Sequence, residues 1–310
     1  MYRTSYVLEK EVSSVQLQTN LGREYGKKFR SGGRLSLYLF IVIGVSVLIG
    51  SFRIPTGTGL SRSSINGTSK LTLMTFNIRH AKGLDGQVRL QSVRNALVQG
   101  NADLIALQEV DRFQGRSGLQ DQARALAQSL GMTFVYAPAI RQGVSQYGIA
   151  LLCHYPLMNP RVYPLPGEKE PRVVLTAEMV MPWPQSAAQG NQQGDRKVIT
   201  IITTHLGVTQ ADRERQMPEL LRIVKEIRTP IVLLGDLNMA DDDPLMKELN
   251  QQLHMAPLPI SESTVLHGGQ IDHIFTSFPA MTDALAWTET TNASDHVPVL
   301  YQVALSQSGD

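Results

Sequence analysis

Only one cysteine, Cys153, stands in the 310 residues of the chain. With no second thiol it forms no intramolecular disulfide, and a chain of this length has core enough without one. Its setting, "YGIALLC", is apolar, so it reads as a small buried hydrophobe rather than a reactive thiol. Cysteines and histidines are likewise not clustered at metal-ligand spacing, which argues against a zinc site. A surplus of either charge is also missing. The formal net charge is +2, and residues 1–52 carry +4 of it, leaving −2 for the remainder. That balance counts against a domain that grips nucleic acid through a broad cationic field, while leaving room for local basic patches. No repeat of solenoid or propeller period is present.

One stretch lacks charge altogether. Residues 35–52, "LSLYLFIVIGVSVLIGSF", would form a helix roughly 27 Å long, close to a ~30 Å hydrocarbon core. A cleaved signal peptide is the alternative, but the run is longer than a usual signal core. Its lead-in is also long, and Leu48 sits where a small residue is needed for a cut after Gly50. The run therefore reads as a transmembrane signal-anchor. Arg23, Lys27, Lys28, Arg30 and Arg34 precede it, and only Arg53 and Arg62 follow closely. The positive-inside rule then predicts a single-pass protein of the cell membrane, with residues 1–34 as a cytoplasmic basic tail and the rest outside. Residues 53–70, "RIPTGTGLSRSSINGTSK", read as a flexible tether.

From 71 to 305 the pattern is regular and predicts one domain. Strands are expected at 71–78, 102–110, 132–137, 147–153, 172–181, 197–204, 230–236, 271–277, 281–288 and 297–303. Helices are expected at 87–99, with Val88, Val93, Leu97 and Val98 at helical spacing, and at 119–131, about 209–227 and 243–252. Asp241, Asp242 and Asp243 read as solvent-facing caps of the last of these. The segment 184–195 reads as a polar hairpin loop. Strands outnumber helices and several follow one another without a crossover helix, which predicts an α/β (α+β) fold with mixed sheets.

Several strands share a peculiarity: an apolar run ends in a carboxylate, an amide or an imidazole. "LMTFN" ends in Asn77, "DLIALQE" in Glu109 and "TIITTH" in His205. "IVLLGDLN" ends in Asp236 and Asn238, "GGQIDHIF" carries Asp272, and "ASDH" brings Asp295 and His296 to the mouth of the last strand. Any one of these has an ordinary structural explanation, but together they mark a site, because loops at one rim of a sheet assembly are where sites are built. Glutamate, aspartate and asparagine oxygens suit a hard cation, Mg²⁺ or Mn²⁺, better than zinc. Such an ion neutralises a phosphate oxygen, and the remaining groups supply a base for water and donors for charge at phosphorus.

The motifs "TFNIR", "ALQEVDR", "YGIALL", "TTHLG", "GDLN", "IDHIF" and "SDHVPV" occur in the order found in the endonuclease/exonuclease/phosphatase superfamily of DNase I-like phosphoesterases. Residues 71–305 resemble that superfamily. The resemblance implies a four-layer sandwich, two mixed β-sheets face to face with helices outside, and hydrolysis of a phosphoester by metal-activated water. It implies Glu109 as the main metal ligand with Asn77 beside it and Asp295 near the metal. Asp236 would orient or deprotonate the water, and Asn238 and His205 would donate to phosphate oxygens. His296 would contact the scissile phosphate, with Asp272 as its orienting carboxylate. His273 and Cys153 with His154 depart from the usual pattern, and His273, alternating with Asp272, is expected to face away from the site.

The substrate is expected to be set by the loops. "QEVDRFQGRSGLQDQA" (108–123) resembles a subgroup related to sphingomyelinase-like and GPI-lipid-remodelling members. Arg112 and Arg116 would bind a second anionic group, or else form structural salt bridges with Asp111 or Asp121. Tether and anchor would keep the site near a bilayer, favouring a lipid or cell-envelope phosphodiester over the alternatives of a surface DNase and a non-catalytic binding module. No protein partner is predicted.

Overall fold

The strands alternate so that each feeds two cores. In Ser69–Asn77 (β1), Leu71 and Leu73 point to one face while Met74 and Phe76 point to the other, all fully buried. In Ile231–Asp236 (β8), Val232 and Leu234 take one face and Ile231 and Leu233 the other. A strand buried on both faces needs a partner layer on each side, and this requirement sets the architecture.

The computed structural model describes residues 69–182, 196–278 and 285–305. The apolar run 35–52, the tether up to residue 68 and the loop 184–195 lie outside the described residues. Among the described residues no helix is long and apolar enough to cross a membrane. Ser69 and Lys70, assigned above to the tether, already belong to β1.

Among the described residues two six-stranded mixed sheets are present. The first joins β1 to Leu104–Arg112 (β2), Thr133–Gln142 (β3), Ser145–Cys153 (β4), Leu285–Thr288 (β11) and Val299–Leu305 (β12), in the order β11-β12-β1-β2-β4-β3. The second joins Leu157–Leu165 (β5), Arg172–Pro182 (β6), Arg196–His205 (β7), β8, His254–Met255 (β9) and Asp272–Thr276 (β10), in the order β5-β6-β7-β8-β10-β9. Each sheet has one parallel pair, β1 with β2 and β7 with β8, among antiparallel ones.

Leu73, Leu151, Leu175, Ile201 and Leu234 fill the core between the sheets. A second core lies between the first sheet and the helices Leu90–Gly100 (α1) and Gln122–Leu130 (α2). A third lies between the second sheet and Gln210–Glu226 (α3) with Met246–Gln252 (α4). The order is therefore helices, sheet, sheet, helices. Caps close the helices where the sequence offers them: Asp121 accepts from Arg124 N, Thr209 accepts from Asp212 N, and Gly131 ends α2 in the left-handed conformation.

Several expectations are corrected. β5 was not expected, because Pro160 and Pro164 break its alternation; as the edge of its sheet it tolerates the missing donors. β9, two residues long, is too short to show a pattern. Helix α1 starts at Leu90, with Val88 bridged to Lys82 ahead of it, and Val98 lies exposed on the outer face. The aspartates 241–243 do not cap α4. Its N-cap is Leu245, without a side-chain bond, while Asp243 Oδ1 accepts from Leu245 N and shapes the turn before the helix.

Candidate active site

The same alternation that fills the inter-sheet core carries its last residues to the mouth of the sandwich. Asn77 continues the Leu71–Leu73 face of β1, and Asp236 the Val232–Leu234 face of β8. His205 follows Ile199 and Ile201, and Asp272 shares its face with Ile274. Register places His205, Asp236 and Asp272 in one row across the second sheet. Glu109 reaches the mouth by another route. In regular pairing Gln108 would end that face, and Gln108 is instead buried against Thr75. A register shift between Leu107 and Val110 and a left-handed φ of 57° at Glu109 turn its carboxylate into the cleft. A non-glycine residue held there by a bulge marks a position that the surrounding structure enforces.

Asn77 ties the sheets together: its Nδ2 donates to Asp236 Oδ2 at 3.0 Å and to Glu109 Oε1 at 3.1 Å. Its Oδ1 accepts from Arg79 N, so in this arrangement the amide bridges the carboxylates. His296 Nδ1 lies 2.8 Å from Asp272 Oδ2, and His296 Nε2 lies 3.8 Å from Asp236 Oδ2. Ligand atoms of Asp236, Asp272 and His296 fall within 4.8 Å of one another. Asn238, in left-handed backbone, donates its Nδ2 to Leu206 O and its N–H to Asp236 Oδ1. Ser294 donates Oγ to Asn77 O at 2.8 Å and clasps the final segment to β1.

Charge in the cleft is sorted by burial. Burial, and then the adjacent Asp272 carboxylate, hold the Asp236 carboxyl above its usual range. Burial likewise raises Glu109. Burial opposes the charge on His296, yet the Asp272 carboxylate and its hydrogen bond overcome it and raise the imidazole to about 9. His296 is thus an imidazolium at neutral pH. His205 is the reverse: burial and then the Arg172 charge keep it well below its usual range and neutral.

Asp295 is ion-paired with Arg79 Nε at 3.2 Å. Arg116 forks onto the buried Asp111 at 2.7 and 2.8 Å, and Arg112 pairs with Asp121 at 2.9 Å. Both arginines thus make the salt bridges named above as the alternative; Arg116 also lines the cleft, whereas Arg112 lies over the rings of Phe113 and Tyr136. His273 faces away, with Nε2 2.7 Å from Met239 O.

The cleft, of about 610 Å³, has residues the sequence did not single out. Arg172, 7% exposed, joins Glu170 at 2.7 Å and His205 Nδ1 at 2.9 Å, and Tyr147 lies beside it. His80 approaches Glu109 Oε2 to 3.9 Å from a turn in which Arg79, His80 and Ala81 all have positive φ. An arginine at a strand start and a histidine in a turn carry no signal of burial.

The donor set consists of carboxylate oxygens around an imidazolium, and Asp272 Oδ1 is buried without a hydrogen-bond partner. Such a set fits a hard divalent cation.

A segment of 148 residues is 29% identical to Protein cwh43 of Schizosaccharomyces pombe, covering 46% of this chain and 14% of that protein, so the chain spans about a seventh of that relative's length. The endonuclease/exonuclease/phosphatase from Beutenbergia cavernae superposes with a TM-score of 0.60 at 21% identity, over 76% of this chain and 72% of that one. The human Nocturnin catalytic domain with bound sulfate anion superposes with a TM-score of 0.56 at 18% identity, over 76% and 94%. These structures share the fold. The profile of the Endonuclease/Exonuclease/phosphatase family matches residues 74–296, and with it the chain belongs to that family of metal-dependent phosphoesterases.

Proposed function

We propose that the cleft hydrolyses a phosphodiester by attack of water, with Mg²⁺ or Mn²⁺ as cofactor and a lipid or cell-envelope phosphodiester as substrate. The observation that carries this reading is the juxtaposition, at one mouth, of the carboxylates Glu109, Asp236 and Asp272 with the imidazolium of His296.

Glu109 from one sheet and the Asp236–Asp272 pair from the other would hold the cation, which when bound neutralises phosphate charge and acidifies water. Asp295, paired with Arg79, stands behind this group. Asp236 accepts the proton of the attacking water, its carboxylate held in place by Asn77 Nδ2 and Asn238 N. His296, charged and held by Asp272, donates Nε2–H toward the scissile phosphate. Neutral His205 and the amide of Asn238 offer further donors to the developing charge. No serine or cysteine acts as nucleophile.

The lipid reading draws on the uncharged run 35–52, which would anchor the domain outside the cell membrane through a short tether. The test is hydrolysis of bis(p-nitrophenyl) phosphate by the full chain in detergent, with and without Mg²⁺. Product release from sphingomyelin, phosphatidylinositol and plasmid DNA then follows. Turnover of the lipids above that of DNA supports the reading. DNA as the preferred substrate makes the protein a surface nuclease, and no metal-dependent turnover at all makes it a binding module.

A further inference from the structure

The exposed large hydrophobics of the described residues are not scattered. Val98, Met158, Val162 and Leu285 lie within helix or edge strands. Every other one sits on a loop at the end of the sandwich where the cleft opens. Leu119 (64% exposed) follows β2, Val144 (75%) tips the β3–β4 hairpin, Val208 (65%) follows β7, and Leu266 (58%) precedes β10. Topology puts these loops together. Gln146 pairs with Arg112, so the hairpin tip lies beside the end of β2, and Ser145 Oγ donates to Phe113 O. Leu266 N donates to Asp295 O, next to His296, and Val208 itself lines the cleft. The loops at the opposite end carry no exposed large hydrophobic among the described residues.

Backbone geometry shows that the presentation is built. Phe113 and Leu119 both hold φ of 56°, a left-handed conformation that large side chains disfavour, and hydrogen bonds from Phe113 N to Gln120 O and from Leu119 N to Gln114 O fix it. Arg141, exposed at the base of the hairpin, adds positive charge to the same side. An apolar rim with a cation around a polar cleft matches a bilayer interface, where hydrocarbon lies just beneath anionic headgroups.

We propose that this rim docks on a lipid bilayer, with Leu119, Val144, Val208 and Leu266 entering the interface and the cleft opening onto the headgroups. The proposal rests on the lipid-phosphodiester reading for its biological use, but the docking itself is a separate physical event. The chain outside the described residues is compatible with it. The sixteen residues 53–68 between the uncharged run and β1 reach about 55 Å when extended. That exceeds the ~30 Å length of a nine-residue strand such as β1, so attachment at Ser69 leaves the rim free to meet the same bilayer.

The test uses the buried state of the lone thiol Cys153, which leaves an added surface cysteine as the one accessible label site among the described residues. Val144→Cys and, at the opposite end, Arg228→Cys are each labelled with an environment-sensitive fluorophore in the full chain. The chain is then reconstituted in phosphatidylcholine/phosphatidylglycerol vesicles. Docking gives a blue shift, and quenching by lipid-borne quenchers, at 144 and not at 228. No change at either position, or equal change at both, overturns it. A shift at 144 that grows with protein concentration without lipid assigns the rim to a second copy and also overturns it.

A paired variant, Leu119→Glu with Val144→Glu, separates docking from chemistry. Hydrolysis of bis(p-nitrophenyl) phosphate stays within twofold of wild type, while turnover of vesicle phospholipid falls by about tenfold or more. Equal loss on both substrates overturns the proposal. Docking seen at 144 without lipid turnover would instead refute the substrate reading and leave the docking standing.

Discussion

The guanidinium of Arg172 donates to His205 Nδ1 at 2.9 Å, and this one contact decides where the histidine's proton resides. Arginine only donates, so Nδ1 accepts and the neutral ring carries its hydrogen on Nε2, 3.3 Å from Asp236 Oδ2. Glu170, Arg172, His205 and Asp236 form a line of polar contacts from the cleft wall to the Asp236 carboxylate.

Arg172→Met should therefore free the ring to take either tautomer. The expected loss in kcat is roughly ten- to a hundredfold, with a smaller change in KM, as for a positioning contact. Nitrogen chemical shifts of His205 report the tautomer directly. A single Nε2–H form persisting in Arg172→Met would show that something else sets it.

Glu109→Gln should abolish turnover while the fold stays intact. Removing the charge weakens cation binding, and excess Mg²⁺ should restore part of the rate. Activity measured across a magnesium titration checks this. Near wild-type turnover at limiting metal would remove Glu109 from the cation site.

Asp272→Asn should cost less than His296→Ala, because it disturbs the charge and orientation of the imidazole without removing it. The double variant should be no worse than His296→Ala, since the two act as one unit at 2.8 Å. Losses that add fully in kcat/KM would mean that the pair is not functional.

The same pair sets a pH dependence of stability. His296 is raised to about 9 in the folded chain, above an unfolded value of about 6.5. The folded state thus binds the proton more tightly, and the stabilisation is complete below about pH 6.5 and lost as pH rises through about 9. In metal-free buffer the stability gap between wild type and His296→Gln should reach up to roughly 3 kcal/mol on the acid side and close toward pH 10. Urea midpoints across that range measure it, and a gap that widens with pH would contradict the assignment.

Gly235→Ala tests the register that aligns the site. A Cβ there would meet Thr204 O at 2.2 Å, a backbone atom that cannot move without parting β7 from β8. The expected cost is about 3 kcal/mol or more, read as a lowered urea midpoint or loss of soluble protein. Wild-type stability would show that the strands can separate there at little cost.

What could be read from the sequence depended on the range of the signal. Alternation and turn residues are local, so most strands and the main helices were legible, and β5 was missed because its prolines mimic a loop. The polar strand ends Asn77, His205, Asp236 and Asp272 were legible because a polar residue interrupting a core face is itself a local anomaly. The roles of Arg112 and Arg116 stayed open, since a salt bridge and a ligand contact look alike in sequence; their ion pairs with Asp121 and Asp111 appear only in three dimensions. Arg172 and His80 were missed for the same reason. Their burial comes from strands and turns distant in the chain.

The first sheet has a consequence for the order of events in making the protein. Strands β5 to β10 of the second sheet are contiguous in the chain, whereas β1 pairs with β12, Ser69 opposite Leu305. Emerging from the ribosome, the chain can therefore pair β1 with β2 early and assemble the second sheet from neighbours, while the other edge of β1 waits for β12 some two hundred residues later. The clasp from Ser294 to Asn77, and His296 with it, arrives last. A chain interrupted before Ser294 thus holds helices α1 to α4 and the whole second sheet yet lacks the clasp and the histidine of the cleft.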